Sequence, residues 1–291
     1  MRFLLLPFAA LAFTSPRLPE PAPTPVVILV HGRGLLDADS AGLHREWKRD
    51  LDTALVGVGL PALADRDFRL AWYADAFDPV SPRRCSARAS EDSLGLGSFV
   101  QGFLGSLAAS MPREDSPGAR ALLADVLYVI DPQTRCAAEG RVASVIDAAL
   151  AEKRPVVLVA YSLGSLVTYG YLTTHRGRDT DADVRLVTLG SPLGNSELRA
   201  LLGGDDSLRV PSIVRTWDNV YDANDLFAAP LGSSSSIVRD RVARPGSSFD
   251  PHHIGRYLRD VETGTAVGRA LCATAPTLAD ACRRLTNGEK G

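Results

Sequence analysis

The apolar positions of this chain fall into two kinds of run. Val26-Val27-Ile28-Leu29-Val30 and Val156-Val157-Leu158-Val159-Ala160 are apolar at every position, mostly β-branched, and without alternation. A strand reads this way when both its faces are covered, as in a parallel sheet. Phe68 to Tyr73, Val184 to Leu189 and Ser212 to Trp217 are further strand candidates, and Ile237 to Val242 alternates as an edge strand does. The intervening segments carry helical spacing. Within residues 40–57, Leu43, Trp47, Leu51, Ala54 and Leu55 recur at three and four, with Glu46, Lys48, Arg49 and Asp52 between them. Val142, Val145, Ile146, Ala149 and Leu150 predict a helix from Val142 to Lys153, stopped by Pro155. Helical spacing resumes from Leu163 through Tyr171, and again through Ile254, Tyr257, Leu258 and Val261. Strand and helix alternate along the chain, which predicts an α/β fold with a mostly parallel central sheet flanked by helices.

The pattern dissolves from Asp75 to about Gly118, where Pro79, Pro82, Cys85 and a Ser/Gly-rich run precede the apolar Phe99 to Leu107. Ala119 to Ile130 fits either a helix or a short strand. The first 25 residues also stand apart. Met1-Arg2, the apolar run Phe3 to Phe13 with the small-x-small site Ala10-Leu11-Ala12, and a Pro-rich stretch to Pro25 read as a secretory signal peptide and leader, too short to span a bilayer. The expected organisation is therefore a leader over 1–25, a main domain over 26–265 with an insertion over 75–130, and a C-terminal extension over 266–291.

Four segments carry candidate chemistry. Ala160-Tyr161-Ser162-Leu163-Gly164 joins a buried strand to a helix, with small residues two before and two after the serine, as a tight turn with a projecting hydroxyl requires. His31-Gly32-Arg33-Gly34 ends the first strand. The strand 184–189 ends at Gly190-Ser191-Pro192, and Ser191 reads as a turn residue because Pro192 has no N–H to offer a developing oxyanion. Asp218, Asp222 and Asp225 follow the 212–217 strand, and the pair His252-His253 follows the last one.

These segments, in this order, resemble the α/β-hydrolases, lipase-like esterases in particular. The elbow is similar to their G-x-S-x-G, with Ala160 in place of the first Gly and Tyr161 where His is common. The resemblance implies an α/β-hydrolase fold over roughly residues 26 to 260, with the 75–130 insertion as a cap that shapes the substrate pocket. It implies Ser162 as nucleophile and the backbone amides of Arg33 and Leu163 as oxyanion hole. Asp225 takes the place of the triad acid, since Leu226 to Leu231 after it resemble the segment that follows the acid in lipase-like members; Asp222 and Asp218 remain alternatives. His252 takes the place of the catalytic base, with His253 as its alternative. His31 reads as a structural histidine locking its loop, and His44 and His175 as surface residues. No metal or organic cofactor is required by this chemistry. The substrate expected is a small-molecule or lipid ester; the alternatives are amide or thioester hydrolysis, acyl transfer, or a non-catalytic binding protein on the same fold.

Composition adds few constraints. A chain of 291 residues with 45% hydrophobic and 23% charged residues can bury a large core. Its net charge of −2 offers no electrostatic case for nucleic acid or for an anionic membrane surface. Cys85, Cys136, Cys272 and Cys282 suit two disulfides in an oxidising compartment, so a secreted or periplasmic location is expected. The short spacing favours Cys272 with Cys282, leaving Cys85 with Cys136. No Cys-x-x-Cys occurs, and metal and redox readings are weak.

Overall fold

The structure, a computed structural model, describes residues 23–33, 35, 37–78, 128, 131–174, 182–195, 199, 208–232, 236–244 and 250–288. Six strands are present among them: β1 Val26–Val30, β2 Phe68–Ala71, β3 Val156–Tyr161, β4 Val184–Leu189, β5 Val214–Tyr221 and β6 Val238–Val242. They form one sheet in the order β2-β1-β3-β4-β5-β6, with every neighbouring pair parallel. The helices are α1 Ser40–Gly57, α2 Pro132–Ala151, α3 Leu163–Thr174, α4 Ile254–Arg259, α5 Val261–Cys272 and α6 Ala279–Gly288. This is an α/β architecture with a helical layer on each face of the sheet.

Both faces of the central strands are covered, which is why their sequences lack alternation. Val26, Ile28, Val30, Val156, Leu158 and Ala160 enter the core with α2 and α3. Val27, Leu29, Val157, Val159 and Tyr161 enter the opposite one with α1, α4 and α5. Each fully covered aliphatic side chain contributes about 2 kcal/mol of burial free energy.

Several boundaries differ from the sequence expectation. The helix expected from Val142 begins at Pro132, because Asp131 caps it, accepting from the amides of Gln133 and Thr134, with Pro132 in the first turn. The strand expected over Phe68 to Tyr73 ends at Ala71. The strand expected to end at Trp217 runs on to Tyr221 and takes Asp218 and Asn219 into the sheet. Those buried polar groups are satisfied there. Asp218 accepts from Arg241 (2.8 Å) and Arg269 (3.3 Å), while Asn219 accepts from Thr188 Oγ1 (2.8 Å) and donates to Asp240 (2.8 Å). The helix expected through Val261 breaks at Asp260, whose side chain caps α5 by accepting from the Glu262 amide.

α5 crosses the boundary expected at residue 265 and packs on α1, with Gly264 close enough to the Ala54 carbonyl that a Cβ would meet it at 2.4 Å. A disulfide joins Cys272 at the end of α5 to Cys282 in α6. The Cys85–Cys136 bridge expected beside it involves Cys85, which lies outside the described residues; so do residues 1–22 of the expected leader, nearly all of the candidate cap over 75–130 and nearly all of the ambiguous 119–130 stretch. Among the described residues no helix is long and apolar enough to cross a membrane, and the disulfide fits an exported protein.

Candidate active site

β1 and β3 are adjacent, yet the chain leaves β1 toward β2 on one side and returns to β3 on the other. At such a switch point the connections diverge and leave a crevice outside the carboxyl ends of the strands. The register pairs Val30 with Ala160, so the His31-Gly32 turn and the Tyr161-Ser162 turn leave the sheet side by side. Gly32 is required by this approach: a Cβ on it would lie 2.8 Å from the Tyr161 ring and 3.3 Å from Ser162 Cβ.

Ser162 sits between β3 and α3 at φ 52°, a left-handed conformation that costs a non-glycine residue about 1–2 kcal/mol. The surroundings hold it there. Its amide donates to the Leu189 carbonyl (2.9 Å), its carbonyl accepts from the Ser165 amide (2.9 Å) and from Ser165 Oγ (2.6 Å), and Ser165 Oγ in turn meets Ser191 Oγ (2.7 Å). Ser191 also accepts from the Leu193 amide, the turn role expected of it. Gly164 explains the small residue two after the serine, since a Cβ there would fall 2.2 Å from the His31 carbonyl oxygen and 2.7 Å from that of Val30.

Ser162 Oγ lies 2.8 Å from His252 Nε2, and His252 Nδ1 lies 2.7 Å from Asp225 Oδ2. Ser162 follows β3, Asp225 follows β5 and His252 follows β6, so segments after three strands on the same side of β1 supply the set. The Asp225 side chain is fully buried and that of His252 is 13% exposed. Burial raises the Asp225 carboxyl; hydrogen bonding to His252 and its charge, with Tyr257 Oη and the Phe227 amide, outweigh this and hold it below the usual carboxylate value. An ionised Asp225 accepts a hydrogen bond from Nδ1–H, which fixes the proton on Nδ1 and leaves Nε2 as the acceptor for the Ser162 hydroxyl.

The alternatives lie elsewhere. Asp222 is paired with Arg256, and Asp218 with Arg241 and Arg269. His253 is the exposed N-cap residue of α4. His44 is only half-exposed and stacks on Phe68 at 5.1 Å, and His175 is outside the described residues. His31 is buried with its ring stacked on Tyr73 at 4.1 Å; Nδ1 meets the Gly32 carbonyl (2.5 Å) and Nε2 accepts from the Tyr73 amide (3.1 Å). Burial pulls its pKa down to about 4, so the ring is neutral at ordinary pH, as this bonding requires.

Arg33 follows Gly32, its guanidinium 4.4 Å from the Phe227 ring centroid, and Phe227 lies 4.9 Å from the His252 ring. Leu163 is the first residue of α3, where helix amides lack intrahelical acceptors and the dipole favours negative charge. Among the described residues no group of three or more His, Cys, Asp or Glu side chains could hold a metal ion.

No protein-family model, curated protein or solved structure matches the chain. Sequence reasoning missed three residues at the site. Tyr161 Oη donates to the His252 carbonyl, Tyr257 Oη donates to Asp225 Oδ2 (2.7 Å), and Arg256 holds Asp222. Tyr257 carried only a core-helix signal. Tyr161 carried a usable one, as the residue that departs from the usual elbow.

Proposed function

We propose that this protein is a serine hydrolase of carboxylic esters, exported and built on an α/β-hydrolase fold with a cap contributed by residues 75–130. The observation that carries the proposal is the unbroken line Ser162 Oγ, His252 Nε2, His252 Nδ1, Asp225 Oδ2 at 2.8 and 2.7 Å on a serine held at positive φ. Support also comes from its place at the switch point of the sheet and at the N-terminus of α3.

His252 Nε2 accepts the Ser162 proton as Oγ bonds to the ester carbonyl carbon. The carbonyl oxygen becomes an oxyanion facing the amides of Arg33 and Leu163 and the positive end of α3. Collapse breaks the bond to the alcohol oxygen, which takes the proton from His252 and leaves an acyl-enzyme on Ser162. Water then loses its proton to His252, attacks the acyl carbon and releases the acid as Ser162 recovers its proton. Asp225 orients the ring and stabilises the imidazolium in both halves.

Labelling the protein with a fluorophosphonate and identifying the modified peptide by mass tests this directly. Modification at Ser162, lost in Ser162→Ala and reduced by about a thousandfold in rate in His252→Ala, is the expected result. A folded wild-type protein that takes up no probe would overturn the hydrolase reading in favour of a non-catalytic binding protein.

The apolar rim bears on the kind of ester. Leu226 is 98% exposed and Phe227 39% exposed immediately after the proposed acid, where water would be the ordinary neighbour of a polar residue. An acyl or alcohol chain of several carbons would cover them. Leu226→Ser is expected to raise KM about tenfold for a p-nitrophenyl octanoate, the worth of one leucine side chain, and to leave the acetate nearly unchanged. Initial rates over a chain-length series check this; equal effects on both esters would remove Leu226 from substrate contact.

A further inference from the structure

The mechanism proposed above leaves two tyrosine hydroxyls at the site without a role. Tyr161 precedes Ser162 and Tyr257 lies on α4; their rings are 6.0 Å apart, and both are buried. Gly190, at φ 54°, lets them sit there, because a Cβ on it would lie 3.0 Å from the Tyr257 ring and 3.3 Å from that of Tyr161.

We infer that Tyr257 and Tyr161 are positioning residues that hold the acid–histidine pair from its two ends, Tyr257 through the Asp225 carboxylate and Tyr161 through the His252 backbone. The inference rests on the serine-hydrolase reading. A phenol has one proton to give. Tyr257 Oη accepts from the Asp222 amide (3.0 Å), so its own proton goes to Asp225 Oδ2 (2.7 Å), the same oxygen that receives His252 Nδ1. Asp225 Oδ1 accepts from the Phe227 amide (3.0 Å). Three donors thus fix the plane of the carboxylate and disperse its charge. At the other end, Tyr161 Oη donates to the His252 carbonyl. The residue that leads into the nucleophile therefore also tethers the backbone of the base, which sets the Oγ to Nε2 separation. This gives a physical reason for tyrosine before Ser162.

The bland alternative is that both rings only fill space, in which case phenylalanine would serve equally well. The other charged groups near the pair are Asp222, held by Arg256, Asp250, whose Oδ1 accepts from the His252 amide (3.2 Å), and Arg33 over Phe227; phenylalanine at 161 or 257 changes none of them.

The test uses the full chain as Tyr257→Phe and Tyr161→Phe, with kcat and KM for a p-nitrophenyl ester across pH and the far-downfield proton signal of His252 Nδ1–H, assigned by its loss in His252→Ala. Tyr257→Phe is expected to lower kcat about thirtyfold with KM unchanged, the effect of one hydrogen bond to a charged group. It should also move the acid limb of the pH–rate profile to higher pH, because a carboxylate short of one donor holds the imidazolium proton more tightly. The downfield signal should shift as well. Tyr161→Phe is expected to lower kcat about tenfold while the acid limb stays in place. Wild-type kcat, pH profile and downfield signal in both variants would overturn the inference. If the wild type neither cleaves esters nor takes up a fluorophosphonate, the hydrolase reading fails separately; the downfield signal still decides the tyrosine roles, a shift in Tyr257→Phe supporting them and an unchanged signal overturning them.

Discussion

Ser162→Ala and Ser162→Gly are both expected to lose at least about a thousandfold in kcat on esters, and the glycine variant to be about 1 kcal/mol more stable than the alanine variant. Loss of Oγ removes the attacking atom in each, so residual rate comes only from binding and any oxyanion stabilisation. The two substitutions separate at the backbone. At φ 52° an alanine keeps the contact between its Cβ and the neighbouring carbonyl, whereas glycine is released from it. The strain is retained because Ser162 is anchored through its amide to Leu189 and through its carbonyl to Ser165, which leaves the turn little freedom to relax. Turnover and urea midpoints measured on the same two samples check both halves. Equal midpoints would mean that the positive φ stores no strain, and appreciable turnover in either variant would place the nucleophile elsewhere.

Gly164→Ala is expected to cost about 3 kcal/mol of stability and most of the activity. The added Cβ would meet two backbone carbonyls, those of His31 and Val30, at 2.2 and 2.7 Å. Neither can swing aside as a flexible side chain would. Val30 is paired within the sheet, and His31 is pinned by its ring to Gly32 and Tyr73. The only relief is to push α3 away from β1. That displaces Leu163 and the loop that carries Arg33, the two proposed oxyanion donors, from one another. A denaturation midpoint close to wild type would show that the helix shifts freely, and wild-type kcat despite a lowered midpoint would separate the oxyanion geometry from this contact.

Much of the sheet was legible because its signals are local. An unbroken apolar run identifies β1 and β3 as strands covered on both faces, and spacing at three and four identifies α1 and the later part of α2. Where tertiary partners override local pattern, the reading stopped short. Asp218 and Asn219 look like loop residues, yet they lie within β5 because Arg241, Arg269, Thr188 and Asp240 satisfy them from neighbouring elements. The start of α2 at Pro132 has a local signal of its own, since Asp131-Pro132 is a capping pair, but the apolar spacing that predicts the rest of the helix begins only at Val142.

At the candidate site the sequence by itself determined where the turn of the proposed nucleophile lies, that small residues must flank it at 160 and 164, and which short segments compete for the proposed acid and base. Each of these depends on residues a few positions apart. Only the tertiary structure decided that Asp225 meets His252 while Asp222 is taken by Arg256, that His252 reaches Ser162 while His253 stands at the exposed start of α4, and that Tyr161 and Tyr257 bond to His252 and Asp225. The hydrogen bond that joins residue 162 to residue 252 links the turn after β3 to the segment between β6 and α4, brought together by the sheet order, and no pattern within either segment encodes it.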